Sequence, residues 1–267
     1  MNLITPTTEL WQQKQGLQGM YDHIERCARV CYRSENKGNI TSEEFVKSLI
    51  KRGHYRPLEF GTIVFKVNEL SQWFDYFESY RTDILCPYVL IDGSHFVTNL
   101  RWLIEICEGE NDSWEEILEE WADWSIAPHI YRPTVHWHIS RGIADEFRTH
   151  TTISSLMEST RYVNYKNKGL EFVLPTWCVG EGTLTETFDF IERQYKQMIL
   201  EGKQPQQARE ILPLATATHL VQCGFNKAWN NFFNQRCSSS AHPDAQYIAK
   251  QARELFATMK FNEIQNN

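Results

Sequence analysis

Two stretches of this 267-residue chain alternate with a period of two, while its other strongly patterned segments repeat at helical spacing. Residues 60–67 place Ile63, Phe65 and Val67 on one face, and residues 134–140 set Val135, Trp137 and Ile139 opposite His136 and His138. Period two marks a half-buried strand; the spacings of Phe45, Val46, Leu49 and Ile50, of Trp114, Ile117, Leu118 and Trp121, and of Ala245, Ile248, Ala249, Ala252, Leu255, Phe256 and Met259 mark helices. A chain built from both must lay helices on a sheet, so the fold class expected is mixed α/β, a central sheet flanked by helices. No repeat or low-complexity linker divides it, and it is read as one domain, 1–267.

Local signals place several element ends. Thr41-Ser42-Glu43-Glu44 reads as a capping box, with Gly53 as the matching stop, and Ser113 with Glu116 can cap the next acidic helix. Pro213 must end or bend the helix carrying Arg209. The C-terminal third reads as mainly helical.

Asp and Glu (34) outnumber Lys and Arg (27), a net charge of −7 that does not suit a grip on a nucleic-acid backbone. A small anion held in a local basic pocket stays open. No run of about 18 apolar residues and no secretory signal occurs, so the expectation is a soluble, cytoplasmic protein with no membrane partner. Seven cysteines without a CxxC pair argue against a disulfide framework, and Cys27 and Cys31 read as a reduced, buried pair; no thiol is given a catalytic role. Cys86 precedes Pro87. The nine carboxylates between Glu105 and Asp123 read as a solvated face. His136 and His138 could chelate a metal, with His129 nearby, yet no Asp or Glu completes a recognisable spacing and no metal is expected.

Four segments hold polar groups that packing alone would not demand: Gly53-His54-Tyr55-Arg56-Pro57-Leu58-Glu59, residues 146–165, Ala208-Arg209-Glu210-Ile211-Leu212-Pro213, and Asn231-Phe232-Phe233-Asn234-Gln235-Arg236. They carry Arg56, Arg148, Arg161, Arg209 and Arg236 among apolar or small residues. Singly, each could be a structural ion pair; as a set in an acidic chain they point to a pocket for a phosphorylated small molecule. In Glu158-Ser159-Thr160-Arg161-Tyr162, two hydroxyls and a guanidinium can cradle a phosphate, while Glu158 offers an acceptor to a sugar hydroxyl.

The order and spacing of these segments resemble the flavin-dependent thymidylate synthases. That family's signature is Arg-His-Arg, seven residues, then Ser; here Thr149-His150-Thr151 is followed by seven residues and Ser159. Gly53-His54 through Glu59, Arg141-Gly142-Ile143, Ala208-Arg209 with Leu212-Pro213, Phe232-Phe233 with Arg236, and Ala241-His242-Pro243 match in order. The match extends over roughly residues 20–260 and is weakest in an insertion at about 69–130.

The resemblance implies methylation of dUMP at C5 to dTMP, with methylenetetrahydrofolate as carbon donor and FAD, reduced by NADPH, as hydride carrier. It implies a homotetramer with active sites between subunits. By position, Arg161 and Arg209 would hold the nucleotide, with Ser159 and Thr160 at its phosphate and Glu146 and Glu158 close by. Arg236 would face the uracil ring as the catalytic group. His150, Asn231 and the Thr149 to Thr151 backbone would meet flavin, and Lys227 its phosphate. Both signature arginines are threonine here, and Arg56 stands where a small hydroxyl residue is usual; Arg56 and Arg148 are expected to restore part of that charge. The altered signature leaves open another pyrimidine C5 chemistry, such as hydroxymethylation, or a nucleotide-binding subunit without catalysis.

Overall fold

The structure, a computed structural model, describes residues 1–34, 40–66, 88–92, 95–110, 113–166, 169–178 and 182–266. In chain order the elements are strands β1 (Asn2–Ile4) and β2 (Thr7–Trp11), helices α1 (Leu17–Val30) and α2 (Ser42–Lys51), strands β3 (Thr62–Lys66), β4 (Leu90–Asp92) and β5 (His95–Asn99), and helices α3 (Leu100–Glu110) and α4 (Trp114–Trp121). There follow β6 (Thr134–Ser140), α5 (Arg141–Phe147), β7 (Ser154–Met157), β8 (Glu171–Val173), α6 (Gly182–Leu200), α7 (Pro205–Ala208), β9 (Ala217–Cys223), α8 (Asn226–Arg236) and α9 (Pro243–Asn266). The mixed α/β expectation holds.

The central sheet is antiparallel, in the order β2-β6-β9-β7. Its alternation decides what covers each face. Val135, Trp137, Ile139 and Leu220 point to one side, where Phe147 of α5, Trp229, Phe232 and Phe233 of α8, and Ile248, Ala252 and Phe256 of α9 close over them. Trp11, Leu156, Val221 and Cys223 point to the other, against Cys27 and Val30 of α1 and Phe60. Helix α1 is apolar on a second side too: Met20, Tyr21, Ile24 and Ala28 pack with α2, α3, α4 and the antiparallel sheet β3-β5-β4. Gly61 allows that approach, since a Cβ there would lie 2.5 Å from Ile24 Cδ1. A parallel pair, β1-β8, packs with α6 and α7 in a further cluster around Phe172, Phe188 and Tyr195.

The capping box is formed, with the Thr41 hydroxyl accepting from the Glu44 amide and the Glu44 carboxylate from the Thr41 amide. Ser113 caps α4, and the turn carrying Arg209 ends at Ile211, ahead of Pro213. Two readings need correction. Strand β3 covers 62–66 and is buried on both faces, because Val64 packs on Phe225 while Ile63 and Phe65 enter the α1 core; Phe60 belongs to a 3₁₀ turn, and Val67 lies outside the described residues. The C-terminal third is mainly helical, as expected, and also contains β9, a strand at the middle of the central sheet whose short run ATHLVQC is buried on both faces and so shows no alternation. Of the Cys27 and Cys31 pair, both free thiols, only Cys27 is buried; Cys31, the cap after α1, is partly exposed. Cys86 lies outside the described residues.

Trp137 is fully buried and meets Phe147, Trp229 and Phe232. Trp137→Ala is expected to cost about 3–5 kcal/mol, read as a lowered denaturant midpoint.

Candidate active site

A cavity of about 430 Å³ opens where α1 and α2 end, lined among others by Cys31, Tyr32, Arg52, His54, Tyr55 and Arg56. Gly53, at φ +69, makes the turn that sets these groups there: after it, the His54 amide bonds back to the Leu49 carbonyl, 2.9 Å, and the 3₁₀ turn of residues 56–60 begins. Burial pushes the Cys31 thiol up to about 11, so it lines the wall as a neutral group. The Arg56 guanidinium is tethered to Glu59, which has no exposed surface. Glu59 Oε1 accepts from Arg56 at 3.0 Å and from Arg101 of α3 at 2.7 Å, and its Oε2 accepts from the Ser154 hydroxyl at 2.5 Å.

A second constellation joins α8 to the turn after α5. Arg236 donates from Nε to His150 Nε2 (2.9 Å), from Nη1 to Glu146 Oε2 (3.0 Å), and from Nη2 to the Glu146 carbonyl (2.7 Å) and Thr149 Oγ1 (3.0 Å). His150 is therefore neutral with its hydrogen on Nδ1; burial, and then the neighbouring guanidinium, lower its pKa to about 4. Phe232 meets its ring edge-on.

The third is the 158–165 loop. The Glu158 carboxylate is buried, accepts the Tyr165 hydroxyl at 2.5 Å and lies 3.9 Å from Arg33 Nη1; burial, the leading influence, raises its pKa. The Ser159 amide bonds to the Cys31 carbonyl at 2.9 Å, which ties this loop to the cavity rim. Thr160 is buried, whereas Arg161 is exposed and lies over Tyr162, whose ring is 5.3 Å from Tyr32.

The candidate residues thus fall into separate groups. Arg56 is on the cavity wall; Glu146, Thr149, His150 and Arg236 share one hydrogen-bonded cluster; Glu158, Ser159, Thr160 and Arg161 share the loop. Thr151, Lys227 and Asn231 are exposed, Asn231 accepting from Gln235. Arg209 pairs with exposed Glu210 at 3.4 Å, and Arg148 with Asp145 at 3.3 Å. Among the described residues no hydrogen bond or ion pair joins Arg161, Arg209 and Arg236. Sequence reasoning missed Glu59 as a hub and Arg101 and Arg33 as its kind of partner. Arg101 follows a strand with no motif around it, and Arg33 has the one positive φ among non-glycine described residues, neither of which is visible in residue type.

The thymidylate synthase complementing protein family matches residues 16–74 and 94–259. The chain belongs to this family. It is 34% identical over 195 residues to a flavin-dependent thymidylate synthase of Synechocystis, spanning 64% of this chain and 89% of that protein. It is 30% identical over 156 residues to one of Pyrobaculum aerophilum, spanning 52% of this chain but only 60% of the relative's length. A crystal structure of a UMP/dUMP methylase PolB from Streptomyces cacaoi, bound with 5-Br UMP, aligns over 97% of this chain and 92% of that one, with 14% identity and a TM-score of 0.47.

Because the folded chain keeps His150 neutral to about pH 4 while a free imidazole titrates near 6.5, acid favours unfolding: between those values the unfolded chain binds a proton that the folded one refuses. This group's share of stability, up to ~3 kcal/mol, is complete above pH 6.5 and lost as pH falls towards 4. His150→Gln should flatten the decline in melting temperature from pH 7 to pH 5, buried His23 contributing equally to both proteins; an unchanged slope contradicts the assignment. Glu59→Ala removes the acceptor of two guanidiniums and should cost about 3 kcal/mol in urea unfolding, more than Arg148→Ala, which is expected within about 0.5 kcal/mol of the parent.

Proposed function

We propose that this chain methylates dUMP at C5 to give dTMP, taking the carbon from methylenetetrahydrofolate and the hydride from FAD reduced by NADPH. One observation carries the reading: at the end of α1, aromatic rings and guanidinium groups face the same cavity. Tyr32, Tyr55 and Phe45 offer walls for a flat ring system, while Arg52 offers charge to phosphate beside Arg29 and Arg56, which are paired with Glu25 and Glu59. A space of about 430 Å³ accepts a ring and a phosphate-sized group, so the residues present fit the dinucleotide cofactor in part. Bound there, FAD supplies the hydride chemistry that no side chain can.

The chain's own residues bind, orient and stabilise charge. Ser159, Thr160 and Arg161, with Arg209, hold the nucleotide phosphate, and Glu146 and Glu158 accept from its sugar and base. Arg236 has five N–H groups, four of which are committed to Glu146, Thr149 and His150, so one remains to meet the pyrimidine. A guanidinium held so firmly stabilises the negative charge that spreads to the uracil oxygens as C5 becomes nucleophilic, with no reorganisation at the moment of reaction. His150, Asn231, Thr149, Thr151 and Lys227 do not line the cavity at the end of α1 and would reach the flavin from a neighbouring subunit. The C5 proton leaves as the methyl group takes its place, and no cysteine is needed. The dispersal of the guanidiniums over separate elements supports a homotetramer in which neighbouring subunits complete each site. In the cell this chemistry belongs to the cytoplasm.

The test combines a spectrum with an exchange assay. Purified protein should show flavin bands bleached by NADPH, and should release tritium from 5-labelled dUMP when methylenetetrahydrofolate is present. Arg236→Lys should lower kcat about 100-fold or more with a smaller change in KM. A protein that takes up no FAD and releases no tritium overturns the reading.

A further inference from the structure

His136 and His138 lack a third ligand in the sequence, but folding supplies two. His138 and His219 face each other across β6 and β9, in register, with ring centroids 4.1 Å apart. Glu171 of β8 comes alongside, Oε2 being 3.5 Å from His138 Nε2. The ligand atoms of these three side chains all lie within 4.8 Å of one another. Their nearest bonded neighbours prepare them as ligands. His136 Nε2 and His219 Nδ1 share a hydrogen bond of 3.0 Å; with the hydrogen on His219 Nδ1, that ring's lone pair is on Nε2, the pattern by which an outer partner orients a metal-bound imidazole. His138 Nε2 is buried and makes no hydrogen bond. Both histidines are partly buried.

From this geometry we propose that His138, His219 and Glu171 form a site for one borderline divalent cation of the zinc type, with His136 as the group that orients His219. Two imidazoles and a carboxylate are a donor set that suits zinc and leaves a fourth position open. Occupation requires two local changes. The stacked rings lie 14° from parallel, so one must turn for both lone pairs to converge. Arg33 holds Glu171 Oε2 at 2.6 Å and must yield it. An alternative acceptor is at hand, because Arg33 Nη1 is already 3.9 Å from Glu158, whose buried Oε2 makes no hydrogen bond. Cation binding would therefore pass Arg33 from Glu171 to Glu158 and draw the 158–165 loop with it. The site does not depend on the proposed methylation.

The test is titration of the chelator-treated full-length protein with Zn²⁺ by calorimetry. One ion per chain is expected, with affinity lowered at least 10-fold by His219→Gln or Glu171→Gln and about 10-fold by His136→Phe, which keeps a stacking ring but loses the nitrogen. Circular dichroism of the metal-free variants establishes that they fold. Should a variant not fold, wild-type crystals grown with equimolar Zn²⁺ decide the matter: an anomalous peak between His138, His219 and Glu171 supports the site. No stoichiometric binding, equal binding by the variants, or a peak confined to cysteines overturns it.

Discussion

A carboxylate with no exposed surface sets the geometry of this molecule. Glu59 sits between Leu58 and Phe60, each entering a different apolar cluster, so its charge is driven inside by its neighbours. An isolated buried carboxylate is prohibitively costly, and this one is satisfied by three donors, Arg56 from its own turn, Arg101 from α3 and Ser154 from β7. Arg132, buried beneath, donates to the Glu59 carbonyl and to the Thr62 hydroxyl. The central sheet, through β7, and helix α3 are thus joined through one side chain, in the same turn that brings Arg56 to the cavity at the end of α1. Helix α1 adds the apolar part of the same constraint, since it is packed between the two sheets.

The arginines divide into two kinds. Arg33, Arg101, Arg132 and Arg236 are spent on acceptors within the chain, while Arg52 and Arg161 are exposed at the cavity or its rim. In a chain of net charge −7, the exposed group supplies a local positive field without making the whole surface basic. That division could not be read from residue types, because an arginine among apolar residues looks the same whether it holds a ligand or a carboxylate.

What was legible in the sequence were features set within a few residues. The Thr41 capping box, the Ser113 cap, the stop before Pro213 and the β6 alternation depend on local hydrogen bonds and side-chain direction, and they stand as read. What was illegible depends on partners far along the chain. Strand β9 is covered on both faces and pairs with β6 and β7, so its period vanishes. Glu59 and Arg101 are 42 residues apart, and Ser154 is 95 from Glu59. The described acidic positions of 105–123 are mostly exposed, as a solvated face should be, but their partners lie outside the run: Glu105 receives Arg101, Glu108 receives Tyr55, and Asp123 receives Ser125 and Lys66. Order and spacing of motifs could place the family; they could not say which charge meets which.

The threonine in place of an arginine at 149 illustrates the difference. Helix α5 ends at Phe147, leaving carbonyls that need donors. The Thr149 hydroxyl donates to the Glu146 carbonyl at 2.7 Å, and Arg236 donates to the same oxygen and to the hydroxyl itself. A guanidinium at 149 has no lone pair to offer Arg236 and would bring a second positive charge against it. Threonine is both donor and acceptor, so it completes the cluster in which His150 stays neutral and Arg236 stays still. The departure from the family signature is consistent with a site that draws its fixed positive charge at this point from α8 rather than from the signature turn.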